Sequence, residues 1–175
     1  AYYFRKDYRN ANRYFESSLE RKGGKSTTQI LYKAGFTAYE SGLFAEAVEH
    51  LKKAALDKGA TGQYASYYLG LSYLRLDNKP FAITAFDNAS KQEFDTSIQY
   101  ESLFYLGKLN FEEGRYSAAI PALTKYNQSE HASINREEVD ALISESYLLT
   151  DDVNAALEYI ESLPVKTDKI RRLYQ

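Results

Sequence analysis

Gly23-Gly24-Lys25-Ser26-Thr27 is the run in this chain that most invites chemistry, because a phosphate-cradling loop ends in Gly-Lys-Ser/Thr ahead of a helix. That motif needs an earlier glycine where this sequence has Leu19, and a strand before it, which the pattern does not provide. The run therefore reads as a connection between helices, with Ser26 or Thr27 capping the next one. His50 and His131 are the two histidines. Glu46 stands one helical turn before His50, a spacing that brings two potential ligands together. A zinc site with one histidine and no cysteine is incomplete, so the pair reads as a solvated helix face. The adjacent carboxylates Glu112-Glu113, Glu137-Glu138 and Asp151-Asp152 diverge around a helix or mark turns, and no Gly-x-Ser-x-Gly elbow occurs. No catalytic residue, metal or cofactor is expected, and the chain is not expected to be an enzyme.

Composition narrows the partners. The formal net charge of -2 over 175 residues leaves no global basic field to hold a polyphosphate backbone, so nucleic acid is not an expected partner. No apolar run approaches the roughly 18 residues of a membrane span, so direct membrane insertion is not expected either. Cysteine is absent, which removes disulfides and thiol chemistry and leaves the redox compartment open. Methionine is absent too, position 1 included, and Ala1-Tyr2-Tyr3-Phe4 opens inside an aromatic helical pattern. A piece of a longer protein is the expectation.

The elements that would carry a site are set by an internal period. Gly35 is followed twelve positions later by Ala47, Gly70 by Ala82, Gly107 by Ala119 and Ser144 by Ala156, and the set recurs every 35 to 37 residues. Around these positions the apolar residues are spaced by three and four. Leu31, Gly35, Tyr39, Phe44, Ala47 and Leu51 belong to one unit, and Leu103, Gly107, Phe111, Tyr116, Ala119 and Leu123 to another. Each unit reads as helix, tight turn, helix, and such units bury their apolar faces only by stacking. The small pairs are expected to face each other within a hairpin, at the close end of helix packing. Gly42 and Gly114 suit helix ends because glycine takes the left-handed conformation freely. Asp77-Asn78-Lys79-Pro80 does the same work, with Pro80 near the next helix start. Asn135 with Glu138 predicts a capping box, Pro121 a bend or a late helix start, and Pro164 the close of the last unit. Tyr8, Ala11 and Phe15 repeat the second-helix pattern, so the array enters mid-repeat.

This pattern resembles the tetratricopeptide repeat (TPR) family over nearly the whole chain, through its glycine or alanine, tyrosine, alanine, aromatic and alanine columns. It departs where the usual proline after the second helix is replaced by Gly59 and is missing in the next two units. The resemblance implies an all-α fold, a right-handed α-α superhelix (solenoid) of about four helical hairpins. One domain over 1–175 is expected, with a partial repeat at 1–26 and repeats at about 28–61, 63–96, 100–133 and 137–170. Phrases such as Tyr105-Leu106-Gly107 and Gly114-Arg115-Tyr116 resemble those of bacterial envelope assembly proteins, which implies a periplasmic or envelope setting.

First helices of such an array line a concave surface. On this register the groove would present Tyr32, Phe36, Tyr39 and Glu40, then Tyr64, Tyr67, Tyr68, Leu71 and Arg75, then Glu101, Phe104, Tyr105, Lys108 and Phe111. An aromatic stripe at helical spacing is core or site; for the set, a groove is favoured, since tyrosine offers large, rigid contact area with a polar tip. The lysine, asparagine and arginine clamp by which chaperone-tail-binding members of the family grip a terminal carboxylate is absent: Tyr32, Phe36, Tyr68, Glu101 and Tyr105 occupy the matching positions. Residues 1 to 33 hold eight Lys/Arg against three Asp/Glu, and residues 93 to 161 four against fourteen, a contrast that reads as head-to-tail association or as solvated faces. The expected function is a non-catalytic scaffold for protein–protein interaction, binding a peptide or helix of another protein in the aromatic groove. The alternative is a structural segment of a longer solenoid in an envelope assembly, self-associating or filled by its own chain from Thr167-Asp168-Lys169-Ile170. Self-association through exposed end repeats is expected where Tyr2, Tyr3 and Phe4, and Ile170 and Leu173, lack neighbours. Far-ultraviolet circular dichroism checks the fold: a helical spectrum is expected, and substantial strand signal would remove the reading.

Overall fold

The structure, a computed structural model, describes residues 7–21, 27–133, 135–164 and 168–173. Tyr2, Tyr3, Phe4, the stretch Gly23 to Ser26 and Thr167 lie outside the described residues, as does the side chain of Leu173. Helices α1 (Tyr8–Arg21), α2 (Thr28–Glu40), α3 (Phe44–Ala54), α4 (Ala60–Arg75) and α5 (Lys79–Ser90) are followed by α6 (Thr96–Glu112) and α7 (Tyr116–Asn127). A 3-10 turn at Glu130–Ser133 leads into α8 (Arg136–Leu149), α9 (Val153–Ser162) and α10 (Asp168–Leu173). The chain divides into two compact units, Ala1–Gln99 and Tyr100–Gln175. In the first unit each helix packs on the next, and α2 also packs on α4, so the first helices of successive hairpins adjoin. In the second, α8 packs on α7 and α9, and α10 lies against α8 as α4 lies against α2.

One turn closes the four hairpins among the described residues. Leu43 donates its amide to the carbonyl of Ala38 at 2.9 Å, Asn78 to Tyr73 at 2.9 Å, Arg115 to Asn110 at 2.8 Å and Asp152 to Tyr147 at 3.1 Å. These six-residue closures need a left-handed residue just before the donor. Gly42 (φ 78) and Gly114 (φ 71) supply it as expected, and Asp77 (φ 54) and Asp151 (φ 58) supply it in the other two hairpins. Aspartate is among the few side chains that tolerate this region. Pro80 sits in the first turn of α5, where its missing amide costs no helical bond.

Close approach inside the hairpins is real, and the atoms nearest each glycine belong to the residue one turn beyond the expected alanine. A Cβ on Gly35 would stand 2.5 Å from Leu51 Cγ and 3.2 Å from the Leu51 amide nitrogen. On Gly70 it would stand 2.8 Å from Phe86, and on Gly107 2.5 Å from Leu123 Cγ. The facing residue thus lies sixteen positions on, at Leu51, Phe86 and Leu123, each fully buried. Ala47, Ala82 and Ala119 are also fully buried, one turn earlier on the second helices.

Other local expectations divide. Thr27 caps α2 by accepting the Ile30 amide at 3.4 Å, and Ser26 lies outside the described residues. Asn135 makes no side-chain cap to α8, and Glu138, the expected other half of a capping box, bonds Lys108 instead. Helix α7 starts at Tyr116 and runs through Pro121, so there is no late start. Pro121 is exposed, and the carbonyl of Ser117 loses only its intrahelical amide donor. Leu163 ends α9 in extended backbone (ψ 130), as the residue before Pro164 must. Ile170, expected to be uncovered, is fully buried in a cluster with Ala141 and Ile160.

The glycine contacts carry a test. Alanine for Gly107 gains about 1 kcal/mol of helix propensity but overlaps Leu123, and overpacking of this kind costs about 1 to 3 kcal/mol. Urea melts are expected to show Gly107→Ala as destabilised. They are also expected to show a smaller loss, or a gain, when Gly107→Ala is made in a Leu123→Ala background, where the overlap is gone.

Candidate functional site

The adjoining helices α2 and α4 bring the first group of expected residues together. Phe36 and Tyr68 meet edge-on at 4.8 Å, and Tyr39 meets Tyr68 at 5.4 Å. Tyr32 lies 6.1 Å from Phe36, 6.1 Å from Tyr64 and 6.4 Å from Tyr68. All five residues are partly buried. Tyr8 of α1 joins them edge-on at 5.8 Å from Phe36. Tyr67 does not belong to this surface. It is 8% exposed and meets Phe86 edge-on, so its ring is core. Arg75 is exposed and carries its guanidinium 5.8 Å from the centre of the Phe44 ring.

A buried amide fixes Tyr64. Gln63, fully buried, donates to the carbonyls of Gln92 at 2.7 Å and Asp95 at 3.0 Å, and its oxygen accepts the Asp95 amide at 2.8 Å. The loop between α5 and the start of α6 is therefore tied to α4. Asp95 also caps α6 through the Ile98 amide at 3.1 Å and takes a short hydrogen bond from the Tyr64 hydroxyl. That bond, then burial, then the carboxylate charge raise the Tyr64 hydroxyl above the ordinary tyrosine value.

In the second unit Phe104 meets Tyr105 at 5.8 Å and Tyr126 of α7 at 5.2 Å. Lys108 holds its ammonium 5.6 Å from the Phe104 ring centre and 2.7 Å from Glu138 Oε1. His131, in the 3-10 turn, stacks on Tyr100 at 5.3 Å, and its carbonyl accepts the Tyr126 hydroxyl at 3.0 Å. Between these groups lies a cavity of about 310 Å³ lined by Glu101, Phe104, Tyr105, Tyr126, His131 and Asn135. Phe111 packs on Tyr116 at 5.3 Å beside the hairpin turn, and both Phe104 and Phe111 rest one side on the core of Leu103, Leu123 and Ile143. Tyr126, His131 and Asn135 were not legible as site residues. They come from a second helix, a 3-10 turn and a helix entry, none of which periodicity assigns to a first-helix face. Glu46, weighed as a metal ligand with His50, instead accepts a hydrogen bond from Asn12 at 3.3 Å. Among the described residues no group of three potential metal ligands comes together, and no helix is long and apolar enough to cross a membrane.

Elsewhere in the second unit polar groups tie α7, α8 and α9 together. Asn127 donates to Asp140 at 2.7 Å, and Tyr159 donates to the same carboxylate oxygen at 2.8 Å, with Asp140 6% exposed. Burial first, then the Asp140 hydrogen bond and charge, push the Tyr159 hydroxyl far above the ordinary value.

Hairpins of one period, closed by one turn and stacked first helix to first helix within a unit, define an α-helical repeat protein of the solenoid class. The Tetratricopeptide repeat model matches residues 32–96 and again 67–130, together more than half of the chain, and the chain belongs to the tetratricopeptide repeat family. Among solved structures it is similar to MamA, with a TM-score of 0.69 and 22% identity over 98% of this chain and 85% of that one. YrrB, described as a TPR protein with an unusual peptide-binding site, has a TM-score of 0.69 and 17% identity over 98% of this chain and 80% of that one. A Podosopora anserina chain of nearly identical TPR-like repeats has a TM-score of 0.60 and 12% identity over 99% and 90%. At these identities the likeness shows the fold, which is all-α. No curated protein matches the sequence.

Tyr159 generates a pH prediction. An unfolded tyrosine ionises near pH 10, while the folded hydroxyl holds its proton higher, so its contribution to stability is complete below about pH 10 and is lost as pH rises beyond it. Urea melts across alkaline pH are expected to show a shallower fall for Tyr159→Phe than for the parent chain. Near neutral pH the variant is expected to be about 1 kcal/mol less stable through the lost hydrogen bond.

Proposed function

We propose that the chain is a non-catalytic scaffold for protein–protein interaction, whose aromatic first-helix faces take a peptide segment or helix of another protein. The observation that carries this reading is the set Tyr32, Phe36, Tyr39, Tyr64 and Tyr68 on α2 and α4, five contacting rings that remain partly exposed. A hydrophobic core alone has no need of so many hydroxyl-tipped rings at its edge. A recognition face does, because each ring gives area to a ligand at little entropic cost. Ring-to-ring contact also holds the rotamers before a ligand arrives, which lowers the cost of association. Membership of a family whose domains bind other proteins or peptides supports the reading, as does the likeness of fold to YrrB, itself described as having a peptide-binding site. In the second unit Phe104, Tyr105 and Lys108 form a smaller aromatic face of that unit's own. Tyr67 is left out because its ring is buried.

A displayed random-peptide library selected on the chain supplies ligands for the test. Tyr32→Ala and Tyr39→Ala are expected to weaken the selected peptides by about tenfold or more, as truncated interface anchors do, with thermal melting little changed. Tyr67→Ala is expected to lower the melting temperature instead. Equal binding by parent, Tyr32→Ala and Tyr39→Ala would remove the aromatic face as the site.

A further inference from the structure

We infer that the cavity in the second unit is a receptor for one cationic side chain, a lysine or arginine, of a basic peptide; this rests on the peptide-scaffold reading above. Its walls combine the rings of Phe104, Tyr105 and Tyr126 with the carboxylate of Glu101, and among the described residues that line it there is no lysine or arginine. Aromatic faces and a carboxylate together attract a cation, the rings through their quadrupole and the carboxylate through its charge.

Size points the same way. At about 310 Å³ the cavity stands at the small end of ligand pockets, room for one long side chain and not for a helix. The methylene stem of a lysine or arginine lies along apolar surface while its head reaches a polar group, and here the rings offer the first and Glu101 the second. An apolar side chain would strip water from Glu101 with nothing in exchange, and an anionic one would meet a like charge.

The surroundings are acidic as well. Residues 100–164 hold twelve Asp/Glu against four Lys/Arg. Of those four, Lys108 is paired with Glu138 at 2.7 Å, and Arg136 donates to the carbonyl of Asn127 at 3.2 Å. Lys108 is also an internal precedent, an ammonium held between a ring of this cavity and a carboxylate. Asn135 is shared with a second pocket of about 470 Å³, which Ser133, Arg136, Glu137 and Glu138 also line, so a peptide leaving the first cavity meets two carboxylates against one guanidinium.

The test uses the whole chain and peptides selected from a random displayed library. Selected peptides are expected to share a lysine or arginine at one position, and its replacement by glutamine is expected to weaken binding about tenfold, the scale of a desolvated cation–aromatic contact. Glu101→Gln and Tyr105→Leu are expected to weaken the basic peptide similarly and to leave little further effect of the lysine replacement, the signature of direct coupling. Circular dichroism of both variants confirms folding, and Glu101, being exposed, is the safer of the two. Selection of apolar or acidic peptides, or basic peptides whose lysine is uncoupled from Glu101 and Tyr105, would overturn this inference and leave the scaffold reading standing. Sedimentation showing that the chain pairs with a second copy, and that Glu101→Gln separates the copies, would overturn it in favour of self-association. Selection of no peptide at all would overturn both.

Discussion

Two helices of a hairpin pass so closely that one of them has no room for a side-chain carbon, and most other features of the chain follow from that contact. At Gly35 and Gly107 even the backbone nitrogen of the facing leucine lies 3.2 Å from where a Cβ would stand. Interiors are packed near crystal density, so such a contact sets the rotation of the first helix about its own axis and not merely its distance. Once rotation is set, the positions three before and four after the glycine fall beside the packed seam. Tyr32 and Tyr39 stand there around Gly35, and Phe104 and Phe111 around Gly107. The partly buried aromatics are consequences of the seam. In the fourth hairpin Ser144 and Ile160 take the corresponding places, both fully buried, and the serine hydroxyl is satisfied by the carbonyl of Asp140 at 2.7 Å.

Buried polar groups then select one arrangement among the several that apolar packing alone would tolerate. Gln63 binds three partners in the loop ahead of α6, and Asn127 and Tyr159 converge on Asp140. Each of these groups would be costly if left unpaired, so each penalises any slip of its helix. Both networks also stand next to a proposed binding surface. Tyr64 is held by Asp95, which Gln63 positions, and Asn127 follows Tyr126, a wall of the second-unit cavity. These polar bonds restrain Tyr64 and the helix that carries Tyr126, and a preorganised face binds with less entropy to lose.

Residue columns show how far one-dimensional reasoning reaches. Tyr32, Tyr67 and Phe104 share a register position, three before their glycines, yet Tyr32 and Phe104 are half-buried while Tyr67 is core against Phe86. The facing residue differs: Gly70 meets a phenylalanine where Gly35 and Gly107 meet leucines, and the larger ring reaches further around the helix. In the column six before the glycines, Tyr64 and Glu101 part by chemistry instead, the first spent on Asp95 and the second lining a cavity.

Local and periodic properties were settled by the amino-acid sequence. Helix content, the repeat length, the left-handed glycines at Gly42 and Gly114 and the Thr27 cap depend on neighbours within a few positions or on a spacing repeated along the chain, which a linear reading captures. Tertiary structure alone decided the rest. Leu51 makes the nearest approach to Gly35, because which second-helix residue comes nearest the seam depends on the offset between two helices, a three-dimensional quantity. Glu138 pairs with Lys108 rather than capping α8, since an ammonium thirty residues away in the chain arrives at its side. The cavity bounded by Phe104, Tyr126, His131 and Asn135 takes its walls from two helices, a 3-10 turn and a helix entry, and no spacing within any one of them announces a surface that exists only where they meet.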